Sequence, residues 1–544
     1  MKLRVLSAAV LIAATLLSWR SLTADEYPRD PRVDVLGYVF SLELDDASDE
    51  IRGQADIKIH FTEAGVESIT LDLVGDGRGG GMSVESVTLG GAELDHQHDQ
   101  DRLQVLLPHP SVGGDTMTLR VVYRGVPVDG LIIGSNKYGE RTFFGDNWPN
   151  RAHHWLPTVD HVSDKALVDF IVTAPNHYQV VANGRLVEKT DLPQGRRRTH
   201  WSCAVPLPPK VMVIGAARFA VQHLAPVNGI PVQSWVYPQD REAGFFDFKQ
   251  ARDVLAFFDA RIGEYPYSKL ANVQSTTRYG GMENAGNIFY NERAIRGDGS
   301  NEGLIAHEIA HQWFGDSVTE ADWHHVWLSE GFATYFTALY LEHAHGRAAL
   351  VEQMLAARQT VLRYHQQAPH SPVIDESITD LNALLNRNSY QKGGWVLHML
   401  RREVGDEVFW KGIRAYYRRY RDRNALSSDF RRVMERKAGR KLEWFFRQWL
   451  STPGQPAIRG AWHYNATDGE LIITIEQVQP GEALFRATLD IGIELPDGGS
   501  RLETLLLHER RHEMRIALPA APSEVTLDPQ TWLLFSDAGF GPRD

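Results

Sequence analysis

The stretch Leu304-Ile-Ala-His307-Glu308-Ile-Ala-His311-Gln-Trp-Phe-Gly315, followed by Trp327-Leu-Ser-Glu330-Gly-Phe-Ala-Thr-Tyr-Phe336, decides how the rest of the chain is read. Residues four apart share one face of a helix, so His307 and His311 can aim both imidazoles at a single point. Leu304, Ile305, Ala306, Ile309, Ala310, Trp313 and Phe314 flank them, which predicts a buried helix. A second apolar helix opens at Glu330 and can return a carboxylate to the same point. Two imidazoles and one carboxylate, with a fourth position left to water, make a catalytic zinc site, one Zn2+ per chain. Glu308 sits beside that face and is placed to take a proton from the water.

Outward from this stretch, composition sets the frame. A chain of 544 residues is too long for one core, so about three domains are expected. It is 43% hydrophobic and 23% charged, an ordinary globular balance. The net charge is −12 and no long basic run occurs, which argues against nucleic acid or an anionic membrane as partner. Residues 1–24 read as a signal peptide. Lys2 and Arg4 precede an apolar segment, residues 5–19, too short to span a bilayer well, and Ser21-Leu-Thr-Ala24 before Asp25-Glu26 suits cleavage. Cleavage would remove Lys2, Arg4 and Arg20 and no acid, leaving −15. The expectation is an exported protein, periplasmic or secreted, with no stable membrane insertion after cleavage; an uncleaved anchor is the alternative. Cys203 is the sole cysteine, so no internal disulfide forms.

Residues 25–228 alternate with period two between turn signals, as in 38–44, 55–61, 68–73 and 117–123, and predict an N-terminal antiparallel β-sandwich domain. From about Gly229 the pattern changes. A strand at 232–237 leads into a helix at 245–262, and strands at 272–277 and 287–290 follow. Helical spacing recurs at 347–366, 392–404, 406–420, 428–438 and 441–450, with Ser427 or Ser428 as an N-cap for the fourth of these. Residues 229–452 thus form a zinc-binding α+β domain. Pro453-Gly-Gln-Pro456 is a linker by composition, and alternation then resumes to the end, predicting a small C-terminal β-sandwich at 453–544. The fold class is multidomain α+β.

Gly280-Gly281-Met282-Glu283-Asn284 lies just upstream of the metal helix. Glycines let another backbone approach closely, and Glu283 beside them could hold a cation. Together with His-Glu-x-x-His, the distant Glu330 and Tyr390-Gln-Lys-Gly393, this string resembles the M1 family of zinc aminopeptidases over residues 30–455. The resemblance implies a thermolysin-like catalytic domain and peptide substrates with a free N-terminus. It implies zinc on His307, His311 and Glu330, and Glu308 as the general base and acid. Glu283 would bind the free α-amine, Gly280, Gly281 and Met282 would line an edge strand against the substrate, with Asn284 completing that motif, and Tyr390 would donate to the oxyanion. Asp146, in Phe144-Gly-Asp-Asn-Trp148-Pro149, would be a second amine anchor, making the N-terminal domain one wall of the site.

Many members of that family end in a large helical domain that closes the cleft; the sequence after residue 453 reads as strands instead, so a more open cleft, or one closed by a second subunit, is expected. A zinc endopeptidase and an epoxide hydrolase would use the same metal set, and a binding module would not need Glu308 or Tyr390. Only the aminopeptidase needs Glu283. The pairs His153-His154 and His324-His325 point to different sides of any regular element and read as packing or surface residues.

Overall fold

Alternation does organise the N-terminal domain. In Ile51–Phe61, Ile51, Gly53, Ala55, Ile57, Ile59 and Phe61 are buried while the side chains between them are open or half-open. The computed structural model describes residues 27–77 and 79–543. The signal-peptide stretch, residues 1–24, lies outside the described residues. Among these, no helix is long and apolar enough to cross a membrane.

Ile51–Phe61 and Val33–Glu43 sit at the middle of an eight-stranded sheet, with Ala166–Pro175 and Arg196–Leu207 on one side and Thr116–Val126 and Gly81–Leu89 on the other. Val33–Glu43 pairs in parallel with Ala166–Pro175; its other neighbour is antiparallel. A four-stranded sheet, Gln179–Ala182, Ile214–Ala217, Arg141–Gly145 and Leu131–Ser135, carries the chain toward the next domain. Its Phe144 meets Phe289 of that domain edge to face at 5.4 Å between ring centroids.

The second domain opens with a five-stranded sheet in the order Ala220–Val227, Ile230–Val236, Leu270–Ser275, Asn287–Asn291, Gly281–Met282. Ala220–Val227, which lies before the change of pattern near Gly229, is the outer strand of this sheet and is joined to Ile230–Val236 by the tight turn at Asn228-Gly229. The expected helix at 245–262 is two helices, Arg241–Phe248 and Ala251–Ile262. At the break the Gln250 amide donates to the Asp247 and Gly299 carbonyls.

Helices dominate from there: Glu302–His311, Trp327–His345, Arg347–Gln367, Gly393–Val404, Asp406–Tyr420 and Ser427–Ala438. Helix Ser427–Ala438 is capped at Leu426, whose N–H donates to the Asp429 carboxylate at 2.9 Å, and not at a serine. Ser427 is drawn away instead, its hydroxyl meeting His325 and Trp327. The chain ends in a four-stranded and a three-stranded sheet built from Ala457–Asn465 onward. The fold is therefore mixed α+β, with strand-rich ends around a helical centre.

Candidate metal centre

Helix Glu302–His311 buries Ile305, Ala306, Ile309 and Ala310, and that burial orients its histidines. The His307 and His311 Nε2 atoms lie 3.1 Å apart. Glu330, in the first turn of helix Trp327–His345, brings its Oε2 to 3.5 Å from His307 Nε2 and 3.3 Å from His311 Nε2. Donors at zinc's usual bond length of about 2.0–2.1 Å in a tetrahedron stand roughly 3.3 Å apart, so the triangle has the right size. Glu330 Oε2 is buried and has no hydrogen-bond partner among the described residues, an orphaned acceptor that a cation would satisfy. His311 Nδ1 faces the Phe314 carbonyl at 3.1 Å and the Ser329 hydroxyl at 3.0 Å, which puts a proton on Nδ1 and leaves Nε2 free as a donor. The residues present fit a zinc ion.

The charge balance makes the same demand. Glu283, Glu308 and Glu330 are each about 5% exposed or less. Burial pushes the Glu308 carboxyl well above the usual range; His311 opposes it, and Glu283 and Glu330 add to it. Burial also raises Glu283. Burial alone would lower His311, yet the carboxylates of Glu330, Glu283 and Glu308 lift it to about 10. Lys210, whose charge is felt at Glu283, is committed to Glu320 at 2.7 Å. The negative charge that Glu330, Glu283 and Glu308 bring together is what raises His311, and the same field would hold a metal ion. Glu283, Glu308 and His311 also lie close enough to form a donor group, but His311 is shared, and the set with two imidazoles is the better zinc site.

The other predicted residues fall around a cavity of about 250 Å³. Gly280, Gly281, Met282 and Glu283 line one side. Gly281–Met282 is the edge strand of the five-stranded sheet, paired only to Asn287–Asn291. A Cβ added at Gly281 would collide with the Glu308 carboxylate, so only glycine lets the edge strand lie against that acid. Glu283 is fixed through its backbone: Gln312 Nε2 donates to its carbonyl at 2.6 Å, while its Oε1 has no partner. The N-terminal domain grips the same segment, since Asn183 Nδ2 donates to the Ala285 carbonyl at 2.9 Å.

Tyr390 stands opposite, in a π-helical turn, Asn388–Lys392, and its ring lies parallel to that of His307 at 6.0 Å between centroids. Burial, then the carboxylates of Glu330, Glu283 and Glu308, push its phenol well up, so it keeps its proton. Its neighbours explain themselves structurally. Lys392 is buried and donates to the Gly454 carbonyl at 2.9 Å, tying the turn to the C-terminal linker. Gly393 meets Gly331 backbone to backbone; a Cβ on Gly331 would stand 2.9 Å from Gly393. This contact of two helices sets the Tyr390 turn beside Glu330, and single-chain periodicity carries no signal for it.

Two predicted residues lie elsewhere. Asn284 is fully buried and does not line the cavity. Asp146 is also fully buried, with Arg151 Nη2 at 3.1 Å on one oxygen and Arg278 Nε at 3.0 Å on the other. Burial raises its carboxyl while the two arginines oppose that rise. From the same segment it is Trp148 that reaches the cavity, packed edge to face on Tyr279. Three of the paired histidines are bound elsewhere: His153 to Asp160, His324 to the Ile378 carbonyl and His325 to Ser427; the fourth, His154, stacks at a tilt on His153. A larger hollow of about 850 Å³ lies on the N-terminal domain near Arg29, Arg32 and Arg102. It contains neither histidine nor cysteine, so size does not pick out the chemistry.

A helix-borne His-Glu-x-x-His pair joined by a glutamate from the following helix, on a mixed α+β domain, defines a class of metallohydrolase site. Residues 246–449 match the model of the Peptidase family M1 domain. It is 26% identical over 384 residues to the glutamyl aminopeptidase of Rattus norvegicus, covering 67% of this chain and 40% of that protein. It is 23% identical over 446 residues to the leucyl aminopeptidase of Saccharolobus solfataricus, covering 78% and 54%. The chain thus spans about half or less of the length of these relatives. In fold it is similar to a crystal structure of an M1 zinc metallopeptidase from Deinococcus radiodurans, with a TM-score of 0.66 and 24% identity, covering 78% of this chain and 96% of that one. The donor set and these relatives together imply zinc.

Proposed function

We propose that the protein is a zinc aminopeptidase that removes single residues from the free N-terminus of peptides. The observation that carries this reading is the Glu283 carboxylate: buried, with Oε1 unpartnered, at the edge strand beside the metal donors. An endopeptidase or an epoxide hydrolase has no use for an unpaired acid there; an α-ammonium satisfies it.

Each side chain then has a task. His307, His311 and Glu330 would hold a zinc ion, which would supply a water made acidic enough to ionise near neutral pH and a Lewis acid for the scissile carbonyl. Glu308 takes the proton of the attacking water and passes it to the departing amine. Tyr390 donates a hydrogen bond to the carbonyl oxygen as charge develops there. Glu283 accepts the ammonium and so sets which bond lies at the reacting position. Gly281 and Met282 offer the free edge of their strand to the substrate backbone. Trp148, from the N-terminal domain, walls the amine end.

The test is one peptide in two forms, free and N-acetylated, incubated with the zinc-loaded protein and followed by mass spectrometry. Stepwise loss of single residues from the free form alone is expected. Internal cuts in both forms would overturn the exopeptidase reading.

A further inference from the structure

A second cavity, about 330 Å³, opens where strands Arg185–Leu192 and Arg196–Leu207 of the N-terminal domain meet the five-stranded sheet. Its walls are apolar: Trp201 and Trp235 are 3% and 8% exposed, and Val180, Leu186 and Val221 join them. Its charges are all of one sign. Lys269, Arg185 and Lys189 line it, no Asp or Glu does, and no carboxylate pairs with any of the three among the described residues.

Lys269 is the informative one. It is 3% exposed, and its ammonium lies 4.9 Å from the centre of the Trp201 ring. It donates to the Ala182 carbonyl at 2.8 Å and the Gly286 carbonyl at 3.2 Å. An ammonium has three donors, so one remains. A buried cation without an acid is costly, and burial lowers its pKa to about 7. In a chain of net charge −12, a cavity that gathers three unpaired cations and no acid runs against the average. The volume falls at the low end of that of small-ligand sites, about 300–1,000 Å³.

We propose that this cavity binds a small amphipathic carboxylate, its apolar tail between Trp201 and Trp235 and its carboxylate on Lys269, Arg185 and Lys189. The site is separate from the zinc cavity and does not depend on the aminopeptidase reading. Because Lys269 also holds the Gly286 carbonyl, an occupant would rest against the segment that carries Glu283.

Titration calorimetry of the full chain with octanoate, 1-octanol and octylamine tests this. One octanoate per chain is expected, with the alcohol and the amine weaker by about tenfold or more. Arg185 and Lys189 are exposed, so the pair of substitutions Arg185→Glu and Lys189→Glu should leave the melting temperature unchanged and weaken octanoate about tenfold or more. Glu283→Gln should leave octanoate binding as it is. No binding at millimolar octanoate, equal binding of octanol, or octanoate binding indifferent to the charge reversals would overturn the proposal.

Discussion

Two cavities of the protein, one at the metal donors and one at Lys269, are electrostatic opposites. The one at the metal donors holds Glu283, Glu308 and Glu330 with no lysine or arginine on its walls, while the one at Lys269 holds cations with no acid. Some buried charges are paired elsewhere, Lys210 with Glu320, Arg358 with Asp528, Asp146 with Arg151 and Arg278. Others rest on backbone carbonyls, as Lys392 does on Gly454 and Lys165 on Asp316 and Ser317; what marks the two cavities is that like charges gather there beside open space. On the readings proposed above, the difference between the cavities is one of ligands: a dication and an ammonium at one, an organic anion at the other.

The comparison breaks most visibly if the metal is withdrawn. Chelation should abolish hydrolysis and zinc should restore it, with metal analysis reading one zinc per chain when active; full activity in zinc-free protein would end the account. Next in size, Glu308→Gln should retain zinc and lose about 10²–10⁴-fold in kcat. Turnover within tenfold of wild type would remove Glu308 from the proton path.

Tyr390→Phe should lower kcat by about 10²–10³-fold with little change in KM, the signature of a contact made as charge develops. A change confined to KM would place Tyr390 in binding alone. Smallest is Asp146→Asn, which sharpens the contrast between paired and unpaired acids. It should leave KM for free peptides unaltered while lowering stability by about 1–2 kcal/mol, read from denaturant midpoints, as Arg151 and Arg278 are left with Asp129 alone. A large rise in KM would return Asp146 to amine recognition.

What the sequence made legible was what short periods encode. Four-residue spacing put His307 and His311 on one face, and period two marked the strands of the N-terminal domain. Glu330, Glu283 and Tyr390 came from motif context, and the structure gathers all three around the same cavity. Less legible was whatever depends on distant parts meeting. Asp146 and Trp148 are two residues apart, and which of them faces the cavity depends on Arg278, more than a hundred residues on, neutralising the acid. The contact of Gly331 with Gly393 and the grip of Asn183 on Ala285 are likewise properties of packing. That Ala220–Val227 joins the five-stranded sheet was not legible either, because a hairpin reads as the same alternation whichever sheet it enters.

The central claim is that Glu283 is left unpaired in order to read an amine. The direct measurement is kcat/KM of wild type and Glu283→Gln on one peptide, free and N-acetylated, with zinc content checked in both. Wild type should prefer the free form strongly, and the variant should lose most of that preference by falling on the free peptide alone. A variant that keeps the wild-type preference, with zinc bound, would contradict the claim.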